Sequence, residues 1–215
     1  MSELEPQARQ TMVRLGASLF QRGYTVGSAG NLSVRLLDGF LITPTDACLG
    51  NLDARSISKL DQQCNWVSGD KPSKTIALHR RIYEASARAQ GIVHTHSTHL
   101  VALTLRGVWS NNDILPPITP YQVMKVGHVP FIEYDLPGAQ AVADQVAEKA
   151  SKNKFLRAVM LERLGPVVWE QSLEKACYVL EELEETAKLM MLCPEAKALS
   201  IESIEALNQR FNCNW

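Results

Sequence analysis

The chain has 215 residues, 46% hydrophobic and 21% charged, a balance typical of a folded domain with a full core rather than of a disordered chain. With 22 basic and 23 acidic residues it lacks the basic excess that nucleic-acid binding requires, so we expect no nucleic-acid partner. No apolar run reaches the roughly 18 to 20 residues of a membrane span, and the acidic N-terminus lacks a signal-peptide pattern. We therefore expect a cytoplasmic protein with no membrane contact.

The N-terminal half predicts two helices around a β-rich region. The predicted elements are a helix over 2–22, strands over 32–37, 40–43 and 64–67, and a helix over 75–89. Ser2 and Glu5 have the spacing of a capping box, and Asp38-Gly39 is typical of a hairpin turn. His79 falls on the apolar side of the second helix, so we expect it to pack against the sheet.

The C-terminal half alternates irregularly between strands and helices. The predicted elements are strands over 91–96, 129–134, 156–161 and 167–169, and helices over 97–107, 139–149, 172–193 and 200–208. Ser97 and Ser172 are candidate N-caps of the helices that follow them. The pattern shows neither a linker nor an internal repeat, which predicts a single α/β domain around a central mixed sheet.

The strongest local signal for chemistry is a cluster of histidines. His94 and His96 lie two residues apart in a predicted strand, so both side chains project from one face. Paired imidazoles are common metal ligands, and His99 could lie near them if a helix begins at Ser97. The spacing fits a metal pair and equally the polar end of a buried strand.

Three short turns combine small and hydroxyl residues. They are Gly27-Ser28-Ala29-Gly30-Asn31-Leu32-Ser33, Thr43-Pro44-Thr45-Asp46 and Pro72-Ser73-Lys74-Thr75. Backbone N–H groups and hydroxyls in such turns suit an anion such as phosphate, although a tight connection is the simpler interpretation of any one turn. Together with the histidines they predict a phosphorylated small molecule held near a metal.

The motifs, taken in order, resemble the class II aldolase/adducin family over nearly the whole chain to about Met191. The motifs are Gly30-Asn31-Leu32-Ser33-Val34-Arg35, Ile42-Thr43-Pro44-Thr45, Ser68-Gly69-Asp70-Lys71-Pro72-Ser73-Lys74, His94-Thr95-His96, Thr119-Pro120-Tyr121, Val129-Pro130, Gly165-Pro166-Val167-Val168 and Glu181-Glu182-Leu183-Glu184-Glu185-Thr186-Ala187-Lys188. Within the family, the chain is most similar to the 3-oxo-tetronate 4-phosphate decarboxylases. The resemblance implies an α/β class II aldolase-like domain, with a mostly antiparallel mixed sheet flanked by helices, over residues 1–193, followed by a tail over 194–215.

The resemblance also implies a carbon–carbon lyase that acts on a small phosphorylated sugar acid or ketose through an enediolate. Its sites would lie between the subunits of a homotetramer, and a zinc ion held by three histidines would polarise the substrate carbonyl. His94 and His96 match two of those ligands, and Tyr134 matches a proton donor that reaches the adjacent subunit's site. Four further residues match positions that hold the substrate phosphate in the family: Asn31, Thr45, Ser73 and Lys74.

Two positions depart from the family pattern. Thr75 stands where the family has a catalytic glutamate, and a hydroxyl is no carboxylate base at neutral pH. Leu164 stands where the family has its third histidine ligand, next to a cationic Arg163. We expect weakened or incomplete metal binding, with Arg163 as a replacement for some of the lost positive charge. His99, His128 and Glu162 are candidate replacement ligands by neighbourhood.

Three functions fit these residues. A lyase is the first, and decarboxylation of a 3-oxo acid is the form that best survives the loss of the glutamate, because its bond-breaking step needs an electron sink but no general base. A catalytically degenerate member with a binding or assembly role is the second. The third is different chemistry around His94, His96 and Arg163.

Overall fold

Across residues 4–215, which the computed structural model describes, eight strands form one sheet. The strands are β1 Asn31–Leu36, β2 Gly39–Ile42, β3 Ser58–Asp61, β4 Trp66–Ser68, β5 Gly91–His94, β6 Phe131–Ile132, β7 Ala158–Leu161 and β8 Gly165–Glu170. Their order is β4-β3-β2-β1-β5-β8-β7-β6, and every neighbouring pair is antiparallel except β6 and β7. The predicted mixed, mostly antiparallel sheet is confirmed.

Helices cover both faces of this sheet. They are α1 Glu5–Gln21, α2 Ile76–Ala85, α3 Thr98–Arg106, α4 Gln140–Lys152 and α5 Leu173–Leu192, whereas α6 Ile201–Phe211 has no buried residue and lies outside both core clusters. One core cluster joins α1, α3 and α5 to the sheet, and a second cluster joins α2 and α4 to its other face. No helix within residues 4–215 is long and apolar enough to cross a bilayer.

Several predicted boundaries were wrong. The strand expected over 64–67 begins only at Trp66, because the Asp61 carboxylate accepts backbone N–H bonds from Gln63 and Asn65 and holds 61–65 in a turn. Strand β3 was not predicted. The helix expected over 75–89 ends at Ala85, because the chain must turn to enter β5. Ser2, half of the predicted capping box, lies outside the described residues.

The two predicted serine caps have different outcomes. The Ser172 hydroxyl accepts the Lys175 N–H and caps α5, as predicted. Ser97 makes no capping bond to α3, and its hydroxyl pairs with that of Thr95 instead at 2.7 Å. The Glu184 carboxylate, carried by α5, accepts the N–H groups of His99 and Leu100 at 3.0 Å and satisfies the start of α3.

Strand pairing brings distant residues to one place at the centre of the sheet. Asn31 at the start of β1 lies opposite His94 at the end of β5, and His94 lies opposite Val167 of β8. Directly opposed residues of antiparallel strands project from the same face. The end of β5 is therefore flanked by β1 on one side and by the β7–β8 turn on the other.

Candidate active site

A cavity of about 160 Å³ opens at the end of β5. It lies between the start of α2, the loop before α4 and the β7–β8 turn. Its lining residues are Asn31, Lys74, Thr75, Ala77, Leu78, His94, His96, Leu136, Pro137, Gly138, Ala139, Val142, Ala143, Leu161 and Leu164. The polar lining residues come from β1, from the end of β5 and from the start of α2, and we call them the polar wall: Asn31, Lys74, Thr75, His94 and His96. The leucines and valine carried by β7, the β7–β8 turn, the loop before α4 and α4 form the apolar wall.

His94 is the most constrained member of the polar wall. It is buried, and its Nδ1 lies 2.9 Å from the Pro166 carbonyl oxygen. Because a carbonyl oxygen only accepts, Nδ1 carries the hydrogen and Nε2 keeps its lone pair. Burial, together with the neighbouring His96, lowers the pKa of His94 to about 4, against a smaller opposing effect of the Pro166 bond. His94 is thus a neutral imidazole near pH 7.

His96 stands beside it. The two rings lie 5.1 Å apart, centre to centre, and both side chains line the cavity, so the predicted shared face is confirmed. Burial lowers the pKa of His96 as well. The polar wall therefore presents two neutral imidazoles, which can donate or accept hydrogen bonds without adding charge.

A buried polar network lies beside these histidines. The Ser33 hydroxyl contacts His79 Nδ1 and the Tyr83 hydroxyl, each at 2.7 Å. His79 is fully buried, as predicted for a helix residue packed on the sheet, and burial, with a smaller effect of His94, lowers its pKa to about 3. The side-chain oxygen of Asn31 is buried without a partner, although Asn31 lines the cavity. That oxygen is a free acceptor for a ligand hydroxyl.

The predicted phosphate residues are partly brought together. A bridge between Pro44 and Pro72 places the two hydroxyl turns side by side, with Thr45 N–H donating to the Lys71 carbonyl and Ser73 N–H to the Thr43 carbonyl. Among these residues, Asn31 and Lys74 line the cavity, whereas Thr45 and Ser73 lie beside it.

Thr75, in the position of the family's glutamate, lines the cavity. Its hydroxyl lies 2.8 Å from the Ser73 hydroxyl, and its N–H donates to the same oxygen. Its side chain is therefore already engaged within its own turn. Lys74 is the one cation among the lining residues.

The apolar wall holds Leu164 in the position of the family's third histidine. The β7–β8 turn brings it there, with the Leu164 N–H bonded to the Leu161 carbonyl and Arg163 at φ +61°. Leu164 packs against the core cluster shared by α2 and α4. The loop before α4 contributes Leu136, and α4 itself contributes Val142. Sequence reasoning missed these two residues, and the Pro137-Gly138 break was the signal that a loop borders the site.

Two predicted site residues lie outside this cavity. Tyr134 is 51% exposed, and its N–H donates to a Glu162 carboxylate oxygen. The Arg163 side chain is 59% exposed and pairs with Glu162 at 3.5 Å, while its N–H donates to the Thr104 hydroxyl. Neither residue lines the cavity of this chain.

The candidate replacement ligands are engaged elsewhere. His99 Nδ1 lies 2.8 Å from the buried Glu184 carboxylate, and His128 Nδ1 lies 2.7 Å from the Asp113 carboxylate. The bond to Asp113 raises the pKa of His128, whose ring packs against that of Trp215 at a tilt of 32°. Glu162 bonds to the Tyr134 N–H. None of the three lines the cavity.

The described residues do not fit a zinc ion with three protein ligands. Within residues 4–215, no group of three histidine, cysteine, aspartate or glutamate side chains is placed to hold a metal. The cavity offers His94 and His96, and Leu164 closes the third position. Catalytic zinc sites keep three protein ligands, so the donor set is one short.

Comparison with known proteins places the whole chain in one family. The model of the class II aldolase and adducin N-terminal domain matches residues 10–191. A 3-oxo-tetronate 4-phosphate decarboxylase of Cupriavidus necator is 56% identical, with 98% of this chain and 99% of the relative covered, and one of Escherichia coli K12 is 46% identical, with 89% of each covered.

Solved structures agree with the sequence comparisons. The crystal structure of YgbL from Escherichia coli superposes with a TM-score of 0.90 at 42% identity, covering 95% of this chain and 99% of that one. An L-fuculose 1-phosphate aldolase superposes with a TM-score of 0.83 at 27% identity, covering 96% of each chain. The chain belongs to the class II aldolase and adducin N-terminal domain family.

Proposed function

We propose that the protein is a carbon–carbon lyase that decarboxylates a small phosphorylated sugar acid of the 3-oxo-tetronate 4-phosphate type. The single observation that carries the proposal is 56% identity to a decarboxylase of that name across nearly the full length of both chains. The cavity supports it, because Asn31, Lys74 and two neutral imidazoles converge there.

The reaction breaks the C1–C2 bond of the sugar acid. Carbon dioxide leaves, the electron pair moves to the C3 carbonyl oxygen to give an enediolate, and C2 then takes up a proton. The Lys74 ammonium and an N–H of His96 would stabilise the developing negative charge on that oxygen. His94 Nε2 and the unpartnered Asn31 oxygen would accept hydrogen bonds from the substrate hydroxyls. No step needs a carboxylate base, which is why Thr75 is compatible with this chemistry.

The substrate phosphate would lie at the paired turns beside the cavity. Thr45 and Ser73 supply hydroxyls, Asn31 supplies an amide, and Lys74 supplies a positive charge. Asp46 follows directly and weakens this set by repulsion. A neighbouring subunit would add Tyr134 as the proton donor to C2, consistent with its exposure and its position outside its own subunit's cavity. The Arg163 side chain would add positive charge at the edge of the cavity.

The proposal also covers the assembly, the location and the division of the chain. The protein would be a homotetramer in the cytoplasm. Residues 1–193 would form the catalytic domain, and residues 194–215 would form a C-terminal tail. Light scattering at micromolar concentration should give about four times the 23.9 kDa chain mass. A mass equal to one chain would remove the role of Tyr134 in a neighbouring site.

The test measures the release of carbon dioxide from 3-oxo-tetronate 4-phosphate, with NMR of a carboxyl-labelled substrate as the method of detection. We expect carbon dioxide and a three-carbon keto phosphate in equal amounts. The variants Lys74→Met and His96→Leu should lower kcat at least about tenfold if each loses one stabilising bond in the transition state. Lys71→Met, which removes a nearby exposed lysine outside the cavity, is the matched control.

A binding or assembly role is the second candidate. Thr75 and Leu164 favour it, because they replace both the base and a ligand of the family pattern within the cavity itself. Folded protein that binds a phosphorylated sugar acid and releases no carbon dioxide above the buffer rate would establish this role and refute the lyase.

A further inference from the structure

The number of donor atoms in the cavity separates this site from the zinc site that the family pattern implies. His94 commits Nδ1 to Pro166 and keeps one free nitrogen, and His96 adds at most one more at a metal. A third protein ligand is missing among the lining residues, which include no carboxylate and no thiol. A zinc ion here would have two protein ligands of the kinds it prefers, both of them imidazoles.

The rest of the cavity disfavours a divalent cation. Lys74, an exposed residue with a cationic side chain, lines the same space, and like charges repel. The Thr75 hydroxyl is bonded to Ser73, and Leu161 and Leu164, which also line the cavity, have no atom that could bind a metal. His99, His128 and Glu162 are bonded at other places, so no further histidine, cysteine or carboxylate among the described residues is placed to complete the coordination of zinc.

The same groups suit an anion without a metal. Lys74 supplies the positive charge, the two imidazoles can form hydrogen bonds to a ligand, and the unpartnered Asn31 oxygen accepts a hydroxyl. We infer that this cavity takes its phosphorylated ligand without a bound zinc ion, with Lys74 in place of the metal as its positive charge. The identity of the ligand class rests on the proposed function, whereas the statement about zinc does not.

The first experiment measures zinc in the wild-type protein, purified without chelators from zinc-supplemented medium. We expect well below one zinc per chain by mass spectrometry of the metal, and no saturable binding of zinc chloride by calorimetry at micromolar concentration. One zinc per chain that disappears in His94→Leu would overturn the inference. Zinc that persists in His94→Leu lies elsewhere on the chain and leaves the inference standing.

The second experiment restores the donors. Thr75→Glu/Leu164→His, with and without Arg163→Asn, should bind zinc at least about a hundredfold more tightly than the wild type, since the changes add a third imidazole and a carboxylate to the two existing imidazoles. Circular dichroism checks that the variants are folded. If the multiple variants are unfolded, the single variant Leu164→His is measured in their place. Restored variants that bind zinc no better than the wild type would overturn the donor-count argument.

The third experiment uses glycerol 3-phosphate as a probe and thermal stability as the readout. The shift in Tm at millimolar probe should be the same with and without EDTA and should fall in Lys74→Met. A shift abolished by EDTA in the wild type would overturn the inference. Zinc-free protein that binds the probe but releases no carbon dioxide refutes the lyase alone, and zinc-dependent turnover refutes this inference alone.

Discussion

The two walls of the cavity are built by different means. On the polar wall, His94 lies in a central strand, bonds to Pro166 and faces Asn31 across a strand pair, so several contacts determine its place. On the apolar wall, Leu136 comes from a loop and is 69% exposed, and Leu164 sits in a turn and is half-buried. Turns and loops tolerate substitution better than central strands. The two imidazoles are therefore held in place by the sheet, whereas the apolar wall depends on a loop and a turn.

The largest expected effect comes from the glycine that joins the walls. Gly165 has φ +121°, and a Cβ there would lie 2.0 Å from the Thr95 carbonyl oxygen, next to His96. Gly165→Ala should lower the free energy of unfolding in urea by about 3 kcal/mol or more. Gly138→Ala is the control, since Gly138 has φ +88° and open space around it, and should cost about 1 kcal/mol. Equal losses would mean that backbone strain alone matters.

Acid should destabilise the folded protein through His79, which lies in the buried network beside the polar wall. Its pKa is about 3 in the folded protein and 6.5 when exposed, so below pH 6.5 the unfolded chain binds more protons and the free energy of unfolding falls. By pH 5 the loss from this group should be about 2 kcal/mol. The free energy of unfolding, measured by urea titration at several pH values from 7.5 to 5, should fall less steeply with decreasing pH in His79→Leu than in the wild type. An unchanged slope would mean that His79 is protonated in the folded protein.

Removing the hydroxyl that His79 and Tyr83 share tests the network beside the polar wall. Ser33→Ala leaves His79 Nδ1 and the Tyr83 hydroxyl without the partner they contact at 2.7 Å, in a buried place. The expected loss in unfolding free energy is about 1.5 kcal/mol. Ser28→Ala, at an exposed turn, should change it by less than about 0.5 kcal/mol. A loss no greater than that of the control would make the network dispensable.

The smallest effect is expected on the apolar wall. Leu164→Ala removes a half-buried side chain and should cost about 1 kcal/mol in urea denaturation, below the range for a fully buried leucine. Leu161→Ala is the buried comparison and should cost about 3 kcal/mol. If Leu164→Ala costs as much as Leu161→Ala, the turn is packed as tightly as strand β7, and the looser construction assigned to the turn is wrong.

Elements with long local patterns could be predicted from the sequence. The apolar spacing of α1 and α5 and the Asp38-Gly39 hairpin are local signals, and all three elements are present. Strand β3, Ser58–Asp61, has one large apolar residue, Leu60, and becomes a strand through its pairing with β2 and β4. Such pairing is a tertiary effect that outweighs local propensity.

The residues of the site also fall into those that local patterns predict and those that depend on tertiary contacts. His94 and His96 could be placed side by side because residues two apart in a strand share a face. His99, although close in the chain, lies away from the pair because Glu184, on a distant helix, binds its ring and the start of α3. Val142 joins the cavity only because α4 packs beside α2. Neither outcome leaves a local pattern.

By itself, the sequence determined the family, the order of most elements and the pair of imidazoles, since these depend on motifs and on the short-range geometry of the backbone. Only the tertiary structure decided what completes the cavity. The tight approach of Gly165 to Thr95 brings Leu164 to the wall, while Glu184 holds His99 outside it. The number of donors available to a metal or a substrate depends on which distant side chains meet, and packing and strand pairing decide that.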